Sequence, residues 1–196
     1  MMVPAIWTAM YAELSLPEAL RALHDCGWQA FEISTEHLEA IETDPQPDRR
    51  VDEARRCLVE LGLSAPQAHA YLKADLAAAD PKARADDLAR LLRHLDLAAK
   101  LGVRNVVVHP GGKQNPDGDS DRIRRWNVEA FRRLGDAAAE RGLRIGVENM
   151  TAPGARTAED LLDLLAAINH SALGITFDSS HAHASGLDAA QAIRDL

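Results

Sequence analysis

The chain has 196 residues, 46% of them hydrophobic, which is enough to bury a sizeable core and is most simply one domain or most of one. Its 30 acidic and 22 basic residues give a formal charge of −8, which disfavours a nucleic-acid partner because the phosphate backbone is also negative. No stretch approaches the ~20 apolar residues that span a bilayer, and the N-terminus lacks the basic start and apolar run of a secretion signal, so we expect no membrane partner.

Capping residues and hydrophobic periodicity predict the helices of the chain. Asp80 and Pro81 suit a first helical turn, leucines then recur at three- and four-residue steps, and Gly102 follows the last turn. Thr157 and Asp160 have the spacing of a capping box ahead of another leucine-rich run. The predicted helices lie near residues 16–26, 48–61, 81–101, 120–141, 158–169 and from 187 onward.

Apolar segments rich in β-branched residues alternate with these helices and predict the strands. A glycine typical of a left-handed helix end separates several helices from the following strand, at Gly27, Gly62, Gly102 and Gly142. The predicted strands lie near residues 3–8, 28–34, 63–69, 103–109, 143–148 and 173–178.

Strict alternation of strands and helices predicts a parallel sheet with right-handed crossovers. No glycine-rich phosphate loop follows the first strand, and polar residues end several successive strands, so we favour a (β/α)8 TIM barrel over an open doubly wound sheet. A complete barrel needs about 250 residues. We therefore expect one domain, residues 1–196, with six βα units and without the last two strands of the barrel. Truncation of a longer protein, a natural six-unit variant or completion by a second chain would each explain the missing strands. Exposed edge strands would then cause poor solubility or a homo-oligomer.

The two cysteines bear on the cellular compartment. Cys26 and Cys57 fall within predicted helices far apart in the sequence and lack the CxxC spacing of a redox or zinc motif. We expect both to be buried, reduced thiols, as in a cytoplasmic protein.

Four predicted strands end on residues that bind metals or move protons, namely His69, His109, Glu148 and Asp178, and His181 follows the last of them. Neighbouring parallel strands lie about 4.8 Å apart and their carboxyl ends point the same way, so one shared site is expected. Two carboxylates with imidazole suit Mn, Mg, Co or Zn. The alternative is structural: Asp178 caps a helix, and Glu148 pairs with an arginine such as Arg156.

The remaining candidates surround this group. We expect His109 and His181 to bind the metal or the substrate, and His69 to contact the substrate or to have only a packing role. Glu32 ends the second strand and either holds a histidine in place or is structural. Trp7 either forms the floor of a substrate pocket or packs in the core. Four further histidines are expected on the surface or beside the site: His24, His94, His170 and His183.

The segments VVVHPGG, GVENM and ITFDSSHAHASG together resemble the sugar phosphate isomerase/epimerase family, which has a xylose isomerase-like TIM barrel and is related to endonuclease IV. The resemblance runs through essentially the whole chain. It implies a divalent metal held by Glu148 and Asp178, with a further His and Glu from strands that this sequence does not contain.

The resemblance implies proton transfer next to a sugar or polyol carbonyl through a metal-stabilised enediolate, with Glu148 as one of two bases. In endonuclease IV-like members, residues matching His69, His109, Glu148, Asp178 and His181 instead bind a zinc cluster that cleaves phosphodiesters. A keto-inositol dehydratase-like lyase would use the same metal ligands as the isomerase. An inactive binding protein is the fourth alternative.

Overall fold

The structure is a computed structural model that describes residues 3–112, 119–152 and 154–196. Its strands form one six-stranded parallel sheet in the order β1-β2-β3-β4-β5-β6. The strands are β1 Ile6–Trp7, β2 Ala30–Ile33, β3 Ser64–His69, β4 Asn105–Val108, β5 Arg144–Glu148 and β6 Leu173–Thr176.

This strand order distinguishes between the two predicted architectures. A doubly wound sheet reverses its strand order partway, whereas here every strand pairs with its neighbours in sequence. The register is regular from β4 to β6, with Val106 opposite Ile145 and Glu148 opposite Thr176, whereas the β2–β3 pair has a register shift between Ala30 and Glu32. The prediction of a partial TIM barrel is therefore confirmed, and the carboxyl ends of all six strands lie at the same edge of the sheet.

Helices alternate with the strands and begin where the caps predict. Asp80 accepts a hydrogen bond from the Lys82 N–H, and Thr157 and Asp160 form the reciprocal bonds of a capping box. The helices are α1 Leu16–Asp25, α2 Thr35–Thr43, α3 Pro47–Glu60, α4 Pro81–Leu101, α5 Ser120–Glu140, α6 Ala158–Ile168, α7 Ser179–Ala184 and α8 Ala189–Asp195. A short 3-10 helix, Thr8–Tyr11, follows β1.

Two helices were not predicted. The nine-residue α2 begins after Ser34, whose hydroxyl accepts a hydrogen bond from the His37 N–H, and it occupies what was expected to be a loop. The six-residue α7 begins at the end of β6 and contains His181. Both are short, so neither shows a long hydrophobic repeat.

The core lies between the sheet and the surrounding helices. Val106, Val107 and Val108 of β4 are all buried, as expected for a strand covered on both faces. The apolar alternation of the segment ITF at residues 175–177 predicts a strand covered on both faces, but the residues of β6 after Leu173 are only partly buried. Within the described residues, only β5 pairs with β6. No helix in the described ranges is both long and apolar enough to cross a membrane.

The prediction that both cysteines are buried is correct for Cys57 and wrong for Cys26. Cys57 is buried in α3, but Cys26 is exposed because it lies at the C-terminal end of α1, where the chain turns toward β2. Both are free thiols.

Candidate metal centre

The carboxyl ends of β3 to β6 bring five potential ligands together. His69 is the last residue of β3, His109 follows β4, Glu148 ends β5, Asp178 follows β6, and His181 lies in α7. Ligand atoms of His69, His109 and Glu148, here called the histidine triad, lie within 4.8 Å of one another. The same limit holds for Glu148, Asp178 and His181, here called the acidic triad. Glu148 belongs to both triads.

The histidine triad is compact, with His69 and Glu148 buried and His109 partly buried. Glu148 Oε2 lies 3.2 Å from His69 Nε2 and 2.7 Å from His109 Nε2, and the two imidazole centroids are 4.8 Å apart. His69 Nδ1 donates to the Ala70 carbonyl at 3.1 Å, which leaves Nε2 as the nitrogen that faces the centre. The two imidazoles therefore converge on one carboxylate oxygen.

The contacts within this triad set its charge. Burial raises the pKa of Glu148, but the contacts with His109 and His69 outweigh that effect and hold the pKa at about 2. Burial lowers the pKa of His69, and the contact with Glu148 reverses this, so that the net pKa is raised. Glu148 is thus an ionised, negatively charged ligand at neutral pH.

The acidic triad combines a capping role with a free carboxylate oxygen. Asp178 Oδ1 accepts from the N–H groups of Ser180 and His181 and so caps α7, as the structural alternative predicted. Its other oxygen, Oδ2, lies 3.7 Å from His181 Nδ1. His181 Nδ1 donates to the Asn149 carbonyl at 2.8 Å, which leaves Nε2 available to a ligand. Glu148 contacts two histidines rather than the arginine of that alternative.

Asn149 is a functional candidate that the sequence analysis missed. Its side-chain Oδ1 accepts from the Asp178 N–H at 2.6 Å, its Nδ2 donates to the Asp178 carbonyl at 2.9 Å, and it is buried. Asn149 therefore fixes both residues that accompany Glu148 in the acidic triad. The sequence feature that could have identified Asn149 is its position: it is a polar residue directly after Glu148, at the carboxyl end of the apolar strand β5.

Glu32 and Trp7 lie beside the triads on neighbouring strands. They face each other in the β1–β2 register, and Glu32 also pairs with Gln67 of β3. Burial raises the pKa of Glu32, against the opposing effect of His69. Trp7 is 39% exposed, which excludes the alternative of a core tryptophan and leaves its indole accessible at the carboxyl end of β1.

The chemistry of the group fits a divalent metal ion. His109 Nε2 approaches Glu148 Oε2 to 2.7 Å without hydrogen-bond geometry, as two ligand atoms directed at a common ion do. Imidazole nitrogens with carboxylate oxygens are ligands of Zn, Co and Mn, and the carboxylates also suit Mg. The described residues therefore contain a donor set that can hold an ion.

The four histidines that were expected on the surface or beside the site lie outside both triads. His183 is exposed and His24 and His170 are partly exposed, in keeping with the expectation, but His94 has no exposed surface. The surface prediction for His94 is wrong because α2, which was not predicted, packs against α4 and covers it.

Comparison with known proteins identifies relatives of the chain. The family model described as xylose isomerase-like TIM barrel matches residues 20–195. A probable endonuclease 4 of Campylobacter concisus is 27% identical over 171 residues, which cover 83% of this chain and 58% of that protein. A 3-dehydroshikimate dehydratase of Pseudomonas putida is 28% identical over 168 residues, which cover 85% of this chain and 25% of that protein.

Solved structures agree on the fold. A D-tagatose 3-epimerase-like protein superimposes with a TM-score of 0.81 at 21% identity, covering 98% of this chain and 70% of that one. At this identity the likeness shows the fold alone. The chain spans less than two thirds of the length of the two curated relatives described above.

Proposed function

The chain belongs to the xylose isomerase-like TIM barrel family, and from that premise we propose that it is part of a divalent-metal enzyme that transfers a proton next to a carbonyl of a small sugar or polyol. The observation that carries the proposal is the acidic triad, in which Glu148 and Asp178 end neighbouring strands and His181 lies within ligand distance of both. The structural neighbour that shares this fold is named after D-tagatose, a small sugar, and the proposal takes its substrate class from that name.

Each residue has a defined part in the proposal. Glu148 and Asp178 hold the ion, which when bound polarises the substrate carbonyl and stabilises negative charge on its oxygen. His109, His181 and His69 bind substrate hydroxyl or carbonyl oxygens through their Nε2 atoms, or share in holding the ion. Trp7 offers an aromatic face to the apolar side of a sugar ring, and the Glu32 carboxyl group binds a hydroxyl.

Proton transfer is assigned to Glu148. A carboxylate with a pKa of about 2 accepts a proton poorly. The role therefore requires that a bound ion, by polarising the neighbouring carbonyl, makes the adjacent C–H acidic enough for so weak a base. Mn, Co, Mg and Zn are the candidate ions.

The experiment is deuterium incorporation from D2O into a panel of ketoses and polyols with Mn, Co, Mg or Zn, using the full-length protein. Exchange by the wild type and its loss in Glu148→Gln is the expected result. His183→Gln, which changes an exposed histidine outside both triads, is the matched control. Undiminished exchange in Glu148→Gln would remove the assigned role.

The histidine triad favours a second candidate function, metal-assisted phosphodiester hydrolysis. It provides a second group of donors that shares Glu148 with the first, and paired metal ions that share ligands are characteristic of many nucleases and phosphatases. The relative named probable endonuclease 4 agrees with this candidate, whereas the formal charge of −8 opposes it. Elemental analysis separates the two: one bound ion supports the isomerase, and two or more ions with cleavage of abasic DNA support the hydrolase.

A further inference from the structure

We propose that Asn127 and Asp75 are positioning residues that fix the turn after His109 and thereby hold the two imidazoles of the histidine triad at their spacing. The inference deepens the proposed function and rests on it for the bound ion. Neither residue belongs to the triads. Asn127 acts through the backbone of Gly111, and Asp75 acts through the backbone N–H of Gly112.

Asn127 lies in α5 and binds both polar groups of one residue in the turn. Its Oδ1 accepts from the Gly111 N–H at 2.7 Å, and its Nδ2 donates to the Gly111 carbonyl at 3.0 Å. The same Nδ2 donates to the Ile123 carbonyl at 3.1 Å, which fixes the amide relative to its own helix. Asn127 is buried, so water does not offer these groups an easy alternative.

Asp75 binds the next residue of the turn, Gly112. Its Oδ1 accepts from the Gly112 N–H at 2.7 Å and from the Ala77 N–H at 3.0 Å, and the residue is buried. Its own N–H donates to Asp87 of α4 at 2.8 Å. Asp75 belongs to the segment that follows β3, so it ties the turn after His109 to the segment after His69.

The close packing of the turn leaves little freedom to move. A Cβ at Gly111 would lie 2.5 Å from the Leu76 nitrogen and 2.7 Å from Asp75 Oδ1, and would also overlap the backbone of Ala77. At Gly112, φ is +114°, a value that L side chains rarely adopt. Only glycine fits between the two segments, so the hydrogen bonds and the packing hold the turn in one position.

The consequence for the centre is geometric. His109 is separated from Gly111 by Pro110 alone, whose ring fixes its own φ, so a shift of the turn moves the imidazole. Loss of groups that orient metal ligands typically costs 10–100-fold in metal affinity. Asn127 and Asp75 are expected to contribute at this level although they do not face the ion.

The main test is Asn127→Asp, which keeps the acceptor for the Gly111 N–H and replaces the donor by an oxygen. Asn105→Asp is the matched control, because Asn105 Nδ2 donates to the Pro66 carbonyl at 3.0 Å across the same strand pair, at the opposite end of β4. The probe is Co²⁺ alone, titrated into the full-length protein by calorimetry and visible absorption. We expect about 10–100-fold weaker binding in Asn127→Asp and a change within about twofold in Asn105→Asp.

Gly111→Ala provides a second perturbation, with Gly174→Ala as its control, because a Cβ at Gly174 meets nothing within 4 Å. A metal-independent readout is the nuclear Overhauser effect between the ring protons of His69 and His109 in the metal-free protein. We expect this signal to weaken in Asn127→Asp and Gly111→Ala and to persist in both controls. Unchanged ring contacts and unchanged Co²⁺ affinity in the two test variants would overturn the inference. Absence of Co²⁺ binding by the wild type would instead count against the proposed function, while the ring contacts still decide the positioning role.

Discussion

His94 gives the fold a pH dependence that one substitution should remove. It lies in α4 with no exposed surface, and its Nε2 is 3.4 Å from Glu42 Oε2. Its Nδ1 has no hydrogen-bond partner among the described residues. The groups that face it are Glu42 of α2, Arg90 and Arg93 of its own helix, and the Tyr71 ring at 6.2 Å.

The magnitude follows from the pKa. Burial lowers the pKa of His94 from 6.5 to about 4, opposed by Glu42 and assisted by the two arginines. As the pH falls below 6.5, His94 therefore binds a proton in the unfolded chain but stays neutral in the folded protein. The free energy of unfolding decreases as a result until the pH reaches about 4, where the folded protein also binds the proton. Between pH 7 and pH 4.5 this linkage costs about 2 kcal/mol in the free energy of unfolding.

The assay is urea unfolding of the wild type and His94→Gln at both pH values. Glutamine is polar but does not titrate. We expect the free energy of unfolding of the variant at pH 7 to be about 1 kcal/mol lower than that of the wild type. On acidification from pH 7 to pH 4.5, we expect the variant to lose about 2 kcal/mol less stability than the wild type loses. His183→Gln removes an exposed histidine and should follow the wild type. Equal acid sensitivity in the wild type and His94→Gln would refute the reasoning.

Three further outcomes concern the candidate centre. Glu148→Gln removes the charge shared by both triads, and we expect calorimetry to show Co²⁺ affinity reduced about 100-fold; an unchanged affinity would contradict a shared ligand. Asn149→Asp loses the donor to the Asp178 carbonyl, which should weaken Co²⁺ binding about tenfold, with the exposed Asn169→Asp as control. Co²⁺ at 100 times its Kd should raise the free energy of unfolding by about 3 kcal/mol, measured as a shift in the urea midpoint, and the same shift in Asp178→Ala would place the ion elsewhere.

The sequence was sufficient to predict the strand ends because the relevant signals are local. A strand of apolar residues that stops at a histidine or carboxylate marks both the end of the strand and a candidate ligand. The caps at Asp80 and Thr157 are local in the same way, since each involves residues within three positions. Alternation then indicated a parallel sheet, and the polar residues at successive strand ends favoured the sequential strand order of a barrel.

The unpredicted features depend on partners that are distant in sequence. Asn149 binds the Asp178 backbone 29 residues away, and Asp75 binds the Gly112 N–H 37 residues away. His94 is buried by α2, a helix too short to show its periodicity, and so its environment could not be predicted. Patterns in a single sequence indicate which residues are polar, but they do not indicate which backbone group a buried amide or carboxylate will contact.

The sequential order of the strands has a consequence for how the centre forms during synthesis. Successive strand-end ligands are separated by 40, 39 and 30 residues, and each strand that carries one pairs with the next in sequence. Closing loops of this length costs less chain entropy than joining more distant parts of a chain. As the polypeptide leaves the ribosome N-terminus first, the histidine triad can assemble once β5 has emerged, and the acidic triad once α7 follows.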